Sequence, residues 1–337
     1  MEDSILMLMS KYHKFSGHVR VVENLSIGLD KLGFDVSVAS PIWEKDPPEG
    51  IKKITLNRFK TIDSQIPNKI DLIHNHQTLM NYYSLFTKRP FIFHYHGASM
   101  IAQKINLKIS MNLCKNHISK IISVSHAAEN QINNLIKNIP SQIIYNGVNN
   151  RLYQNVKIIE KDGDPQLLFV GNLFEYKKIQ IIILAMKKIL IDFPNAFFQI
   201  IGQGEFSDEL NKLIKTNNLV KNVKIIGKVD DHELLQRYAS CDIYISASSF
   251  ETFGLPLLEA MASGKPVLGS NIPAHKELIE ASKAGLIFEY NIDEIAEKVK
   301  NVYQNSVELG KLGKKFAEKN DWEHVCKQVA EVYRELV

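Results

Sequence analysis

The sequence predicts an α/β chain built from parallel sheets in two domains. Three observations predict it. Short continuous apolar runs, such as Ile5–Met9 and Leu167–Val170, end in polar residues, as strands buried on both faces do. Stretches with helical periodicity lie between them, so strand and helix alternate along the chain. The 337 residues suit about two domains, and a polar turn cluster, Lys161-Asp-Gly-Asp-Pro165, stands near the middle.

The first unit opens with the strand Ile5–Met9 and the loop Ser10–Gly17. A helix over Val19–Leu32 ends at Gly33, and Phe34–Ala39 is the second strand, which completes a βαβ unit. Strands are expected at Asp71–His74, Pro90–His96, Ile121–Ser125 and Gln142–Tyr145, with a helix over Ile101–Lys120. In open parallel sheets ligands bind beyond the carboxyl ends of strands. His74, His76, His94, His96, Ser125, His126 and Asn146 should lie near that edge. The two His-x-His pairs invite a metal reading, because period 2 puts each pair on one face of a strand. No nearby carboxylate or cysteine completes a set in either segment, so packed, hydrogen-bonded histidines and no metal are the expectation. The lysines Lys104, Lys108, Lys115 and Lys120 read first as a solvated helix face.

The polar stretch Arg151–Pro165 is read as the linker. The second domain then runs through the strand Leu167–Val170, a helix over Gln180–Phe193 and the strand Ala196–Ile201. Val223–Gly227, the helix Asp231–Ala239, and the strands Cys241–Ser246, Pro266–Gly269 and Gly285–Phe288 follow, with two final helices. The stretch Ser248–Gly264 carries the chemistry. Pro256 suits the first turn of a helix and Gly264 the position just past its end. Phe253, Gly254 and Leu255 then present backbone N–H groups at a helix N-terminus, a ready anion site. Glu251 precedes that site and Glu259 lies one turn inside. A carboxylate accepts two hydrogen bonds from vicinal hydroxyls, so this layout suits a phosphate with a sugar on each side. Taken singly, Glu259 is also favourable by the helix dipole alone, and Glu251 by solvation.

Composition narrows the classes. Hydrophobic content of 45% supports sizeable cores. A net charge of +4 is too small to argue for nucleic acid, and it fits an anionic substrate or an anionic membrane surface. Cys114, Cys241 and Cys326 are odd in number and far apart, which argues against a disulfide framework and for a reducing compartment. Ile5–Met9 is too short for a signal peptide, and no run of 18 apolar residues occurs. A cytoplasmic location is expected.

Glu251-x7-Glu259, within Phe250-Glu-Thr-Phe-Gly-Leu-Pro-Leu-Leu-Glu-Ala-Met-Ala-Ser-Gly264, resembles the signature of the group 1 glycosyltransferases, the GT4-type retaining enzymes. The resemblance runs nearly the whole chain. It implies the GT-B fold, two Rossmann-like doubly wound parallel-sheet domains facing across a cleft. Residues 1–155 would form the acceptor-side domain, 165–320 the donor-side domain, and 321–337 a terminal helix returning to the first.

Residue by residue, the resemblance implies the following. His96, followed by Gly97, matches a His-Gly position near the transferred sugar. Gly17, in Ser16-Gly17-His18, stands where the family commonly has a double glycine approaching donor and acceptor. Tyr145–Asn149 resembles the family's Asn-Gly-Val-Asp segment. Gly171–Lys178 resembles a Gly-Arg-x4-Lys-Gly loop, with Asn172 in place of arginine and Lys178 in place of glycine. Lys177 would neutralise charge on the departing diphosphate. Gly202, in Gly202-Gln-Gly-Glu205, resembles a Gly-x-Gly loop beside the nucleotide, and Lys228 and Val229 match positions facing the base. Glu259 would hold ribose hydroxyls and Glu251 those of the sugar. The co-substrate would be a nucleoside-diphosphate sugar, with no metal. The acceptor would be a glycan, a lipid-linked group or a small molecule, with a peripheral contact on the inner face of a membrane. Two other readings share the scaffold: a nucleotide-sugar epimerase or a phosphorylase, the latter opposed by the short length and the lack of a pyridoxal-phosphate lysine context, and a nucleotide-sugar-binding subunit without catalysis, which the asparagine at 172 keeps open.

Overall fold

The computed structural model describes residues 3–14, 17–133, 135, 136 and 138–337; Ser16 of the first loop lies outside the described residues. Contacts divide the chain into two compact units, Met1–Gly147 with Asn320–Val337, and Val148–Lys319.

The first unit holds β1 (Ser4–Leu8), α1 (Gly17–Lys31), β2 (Asp35–Ser40), β3 (Lys52–Thr55), β4 (Leu72–Asn75), β5 (Phe91–Tyr95), α2 (Ile101–Cys114), β6 (Lys120–Ser123), α3 (His126–Ile132) and β7 (Ser141–Ile143). The strands form one seven-stranded sheet in the order β3-β2-β1-β4-β5-β6-β7, and every pairing is parallel. β1 is an interior strand between β2 and β4, and all five of its residues are buried, which is why it reads as an unbroken apolar run. β3 escapes a hydrophobic reading because it is an edge strand with exposed Lys52 and Lys53.

Other elements also depart from the sequence reading. The helix expected to reach Lys120 stops at Cys114. A 3-10 turn over Lys115–His117 follows, and Lys120 already pairs in the sheet opposite Ile92. Nothing local marks that stop; sheet pairing overrides helical periodicity. Thr78–Phe86 is 3-10 helical and packs along α2. α3 begins where the Ser125 hydroxyl accepts a hydrogen bond from Ala128 N at 2.8 Å.

The second unit holds β8 (Gln166–Val170), α4 (Ile179–Asp192), β9 (Phe197–Ile201), α5 (Ser207–Thr216), β10 (Val223–Gly227), α6 (Asp231–Ser240), β11 (Ile243–Ser246), α7 (Leu255–Ala262), β12 (Val267–Ser270), α8 (Pro273–Ser282), β13 (Gly285–Phe288), α9 (Ile292–Gln304) and α10 (Ser306–Lys319). Its sheet runs β10-β9-β8-β11-β12-β13, again parallel throughout. Leu167, Phe169, Phe198, Ile200, Ile243 and Ile245 form the centre of its core. The segment before β8 is tied into this unit: Lys161 pairs with Asp242, and Asn150 donates to Ala317 O.

The last helix, α11 (Trp322–Arg334), belongs to the first unit. It packs against α1 so closely that a Cβ on Gly28 would stand 2.3 Å from Cys326 Sγ. Strand order reverses at one place in each sheet, beside β1 in the first and beside β8 in the second. Ligands of such sheets bind at the carboxyl ends of the strands flanking that reversal. In the second unit those ends carry the loops 171–178 and 247–254.

Candidate active site

The two loops at the reversal point are bonded to each other. Ser249 N and Ser249 Oγ both donate to Tyr176 O, at 2.7 and 2.9 Å. This clamp sets Lys177 against Glu251, with Lys177 Nζ 2.5 Å from Glu251 Oε1. Both side chains are largely buried, 13% and 21% exposed, so water screens the pair less than it would a surface pair. The Lys177 ammonium also lies 5.2 Å from the centre of the Tyr176 ring.

Glu251 leads into α7. Phe253, 3% exposed, anchors the turn in the core. Gly254 is the N-cap, with φ +97° and ψ +51°. That left-handed backbone costs an ordinary residue roughly 1–2 kcal/mol, and it turns the chain sharply enough for the helix to start at Leu255. The first-turn amides, Gly254 and Leu255 among them, have no acceptor within the helix and carry its positive end. Glu259 lies in the second turn, and its Oε2 accepts from the Tyr238 hydroxyl at 2.8 Å. Tyr238 is fully buried; burial first, and then Glu259, pushes its pKa well above the usual value, so it stays a donor.

The glycine loops pack backbone on backbone. A Cβ on Gly202, at φ +139°, would stand 1.8 Å from Gly171 O. Gly171 N donates to Ile201 O, Leu173 N to Gln203 O, and Gly202 N to Gly227 O. The loops after β8, β9 and β10 are thus zipped into one rim. Asn172 is exposed on it, and its carbonyl accepts from Phe174 N. Lys178 has φ +51°, a left-handed conformation that favours glycine. Exposed Lys228 and half-buried Val229 follow β10, two strands out from β8.

Sequence reasoning missed three supports of this site. Tyr238 orients Glu259, and Ser249 locks the two loops together. His275 of α8 is fully buried beneath the turn at Gly254, with Nδ1 3.1 Å from Ser270 Oγ. Burial, foremost, lowers its pKa to about 4, with Glu251 opposing and Lys177 adding to the shift. Its Nε2 has no hydrogen-bond partner among the described residues. Ser270 in turn donates to Ser248 O, which also accepts from Tyr290. No local pattern singles these residues out, because each is brought in from a separate element.

In the first unit, Gly17 is the first residue of α1 and is exposed. His96 follows β5 and is 6% exposed. Its ring lies 4.9 Å from that of His18, beside Gly17. The register of β4 and β5 brings both His-x-His pairs onto one face, which neither segment reveals by itself. His74 Nε2 is 3.1 Å from His94 Nδ1, His76 Nδ1 is 3.1 Å from His96 Nε2, and His74 Nδ1 is 2.6 Å from the Tyr333 hydroxyl of α11. Ring nitrogens of His74, His76 and His94 lie within 4.8 Å of one another, close enough to gather round a metal ion. Burial lowers all four pKa values, that of His74 to about 3, so the rings are neutral near pH 7.

Comparison with known proteins decides the family. Residues 153–321 match the profile of glycosyl transferases group 1, and residues 15–151 that of glycosyltransferase family 4. An uncharacterized glycosyltransferase of Methanocaldococcus jannaschii is 30% identical, over 98% of this chain and 98% of that one. The chain belongs to the group 1 glycosyltransferases. This glycosyltransferase is also 26% identical to the alpha-monoglucosyldiacylglycerol synthase of Acholeplasma laidlawii, over 89% of its own length and 87% of the relative's. Among solved structures, sucrose-phosphate synthase from Thermosynechococcus elongatus superimposes with a TM-score of 0.82 at 19% identity, over 99% of both chains. Anabaena HepE, solved in complex with UDP-glucose, gives 0.81 at 20%, over 99% of this chain and 100% of that one. The fold is therefore GT-B. The glycosyltransferase is an enzyme of sugar transfer, which sets the epimerase and non-catalytic readings aside.

Proposed function

We propose that this glycosyltransferase moves a sugar from a nucleoside-diphosphate sugar to an acceptor hydroxyl with retention at the anomeric carbon, and needs no metal to do so. The observation that carries the reading is the Lys177–Glu251 pair beside the start of α7, at the reversal point of the second sheet. A diphosphate seated on the first-turn amides of α7 meets the helix's positive end and the Lys177 ammonium. The bond from the anomeric carbon to the diphosphate breaks. A bond from the same face to the acceptor oxygen forms, and the acceptor's proton passes to a phosphate oxygen. No two-carboxylate displacement of the glycosidase kind is involved.

Glu259, oriented by Tyr238, takes the ribose hydroxyls. Glu251 takes hydroxyls of the transferred sugar, and in the first unit His96 keeps the sugar-side role that the family resemblance gives it. Asn172 and Gly202 line the diphosphate, Lys228 and Val229 the base, and Gly17 the donor's approach. UDP-sugars are the first donors to test, since Anabaena HepE is solved with UDP and with UDP-glucose. The acceptor is a hydroxyl on a glycan, a lipid-linked group or a small molecule, and the enzyme works in the cytoplasm.

The test is a thermal-shift screen of UDP, GDP, ADP and their sugars, with and without EDTA. We expect one nucleotide family to raise the Tm equally in both conditions. A response abolished by EDTA would overturn metal independence and direct attention to His74, His76 and His94. No response to any nucleotide would overturn the donor assignment.

A further inference from the structure

We propose that His275 of α8 is a positioning residue for sugar transfer: a one-way hydrogen-bond relay, from its Nδ1 through Ser270 to the Ser248 carbonyl, sets the loop that carries Glu251 to Lys177. This role rests on the transferase reading above. The direction of the relay follows from counting protons. Ser248 O is a carbonyl oxygen and can only accept. Ser270 Oγ lies 2.5 Å from it, so the single proton of that hydroxyl points there. Only lone pairs of Ser270 Oγ remain for His275 Nδ1, 3.1 Å away, and the proton in that contact therefore belongs to the ring. Burial keeps the ring neutral near pH 7, and a neutral imidazole carries one N–H. That N–H is on Nδ1, and Nε2 is a bare lone pair. The Ser270 backbone works against the larger effect of burial and raises the ring's pKa, as an acceptor facing a ring N–H does.

Packing alone does not require a histidine here. The side chain is fully buried, and Nε2 has no hydrogen-bond partner among the described residues. A buried acceptor left without a donor destabilises the fold, and a phenyl ring of similar shape would avoid that loss. The ring is also wedged in place. A Cβ on Gly269 of β12 would stand 3.0 Å from His275 Cβ, and one on Gly254 would stand 3.8 Å from its Cδ2. The aim of Nδ1 is thereby fixed on Ser270.

The relay ends in the loop proposed to carry the chemistry. Ser248 O also accepts from the Tyr290 hydroxyl at 3.0 Å, so two hydroxyls hold this carbonyl. The next residue, Ser249, is bonded through N and Oγ to Tyr176 O, which precedes Lys177. Glu251 follows two residues on and meets Lys177 at 2.5 Å. His275 acts on that pair through Ser270 and Ser248. A shift of Ser248 would carry Glu251 off the lysine, and a misplacement of about 1 Å at a reacting centre can lower a rate about a hundredfold.

The test reads release of nucleoside diphosphate by the whole protein at saturating donor. His275→Phe keeps the shape of the ring and removes the relay proton. We expect its Tm to stay within a few degrees of the wild type while turnover falls about tenfold, with the Kd for free nucleoside diphosphate, which has no sugar for Glu251, within about twofold. His275→Asn puts an amide N–H near the place of Nδ1. It should recover most of the turnover even where its Tm is lower, an order that space filling alone would reverse. Ser270→Ala should match the loss in His275→Phe, and the double variant should fall no further, because both substitutions break one relay. Long-range 15N NMR of the wild type should show His275 protonated on Nδ1 and bare on Nε2. Undiminished turnover in His275→Phe, no recovery in His275→Asn, additive losses in the double variant, or a proton on Nε2 would overturn the relay. If His275→Phe fails to fold, Ser270→Ala and the NMR tautomer decide. A wild type that neither binds a nucleotide-sugar nor releases diphosphate would instead strike the transferase reading, so the two failures are separable.

Discussion

Replacing Lys177 with alanine should act on the transition state. As the donor bond breaks, the diphosphate gains about one negative charge. A charge about 4 Å from an ammonium in a partly dry site interacts by about 4 kcal/mol at an effective dielectric near 20. Only part of that is new in the transition state, because the diphosphate is already anionic when bound. Removing a preorganised donor of this kind typically costs 2.7–4 kcal/mol. We therefore expect turnover to fall by about 3 kcal/mol, roughly a hundredfold. Donor affinity should change less. Lys177 is held by Glu251 at 2.5 Å, so a bound diphosphate must share a lysine that already has a partner. Deleting the lysine also leaves Glu251 as an unpaired carboxylate near the phosphates. A cycle with Glu251→Ala separates that repulsion from the lost attraction, and Lys177→Arg should keep much of the activity. The assay is release of nucleoside diphosphate from the nucleotide-sugar that stabilises the protein, at saturating donor, with its Kd measured separately. Turnover within threefold of the wild type, with affinity lost instead, would refute a transition-state role.

Glu259→Ala should weaken donor binding at least tenfold, and Tyr238→Phe, which removes the 2.8 Å bond to Glu259, should weaken it by less; unchanged donor affinity in both would end the ribose assignment. Gly202→Ala places a Cβ 1.8 Å from Gly171 O at a left-handed φ, so overpacking and strain should cost about 3 kcal/mol and lower the Tm by several degrees; a melt within one degree would show that the loops yield. The four buried histidines of the first unit predict a pH effect. Their folded pKa values lie below the unfolded value near 6.5, so only the unfolded chain takes up protons as the pH falls below it. Stability is then full above pH 6.5 and falls by up to about 1.4 kcal/mol per pH unit for each histidine, for His74 down to about pH 3. A Tm that stays flat from pH 7.5 to 5.5, or a His94→Phe variant with an unchanged slope, would count against it.

The sequence by itself determined the class of fold and the place along the chain of the loops proposed to carry the chemistry. β1 and β8 are buried on both faces, so they had to be apolar runs, and those runs are visible without coordinates. Pro256, Gly264 and the two glutamates mark α7 because turn and cap chemistry is local. What the tertiary structure alone decided are relations across elements. The 2.5 Å pairing of Lys177 with Glu251 depends on a clamp from Ser249 to Tyr176 across two loops. The hydroxyl on Glu259 comes from α6, and the histidine under Gly254 from α8. The two His-x-His pairs look unrelated 20 residues apart, until parallel pairing of β4 and β5 sets them on one face. Periodicity reports which face of an element is buried. It carries no information on which other element buries it, since that depends on strand order, and strand order is fixed by packing over the whole domain.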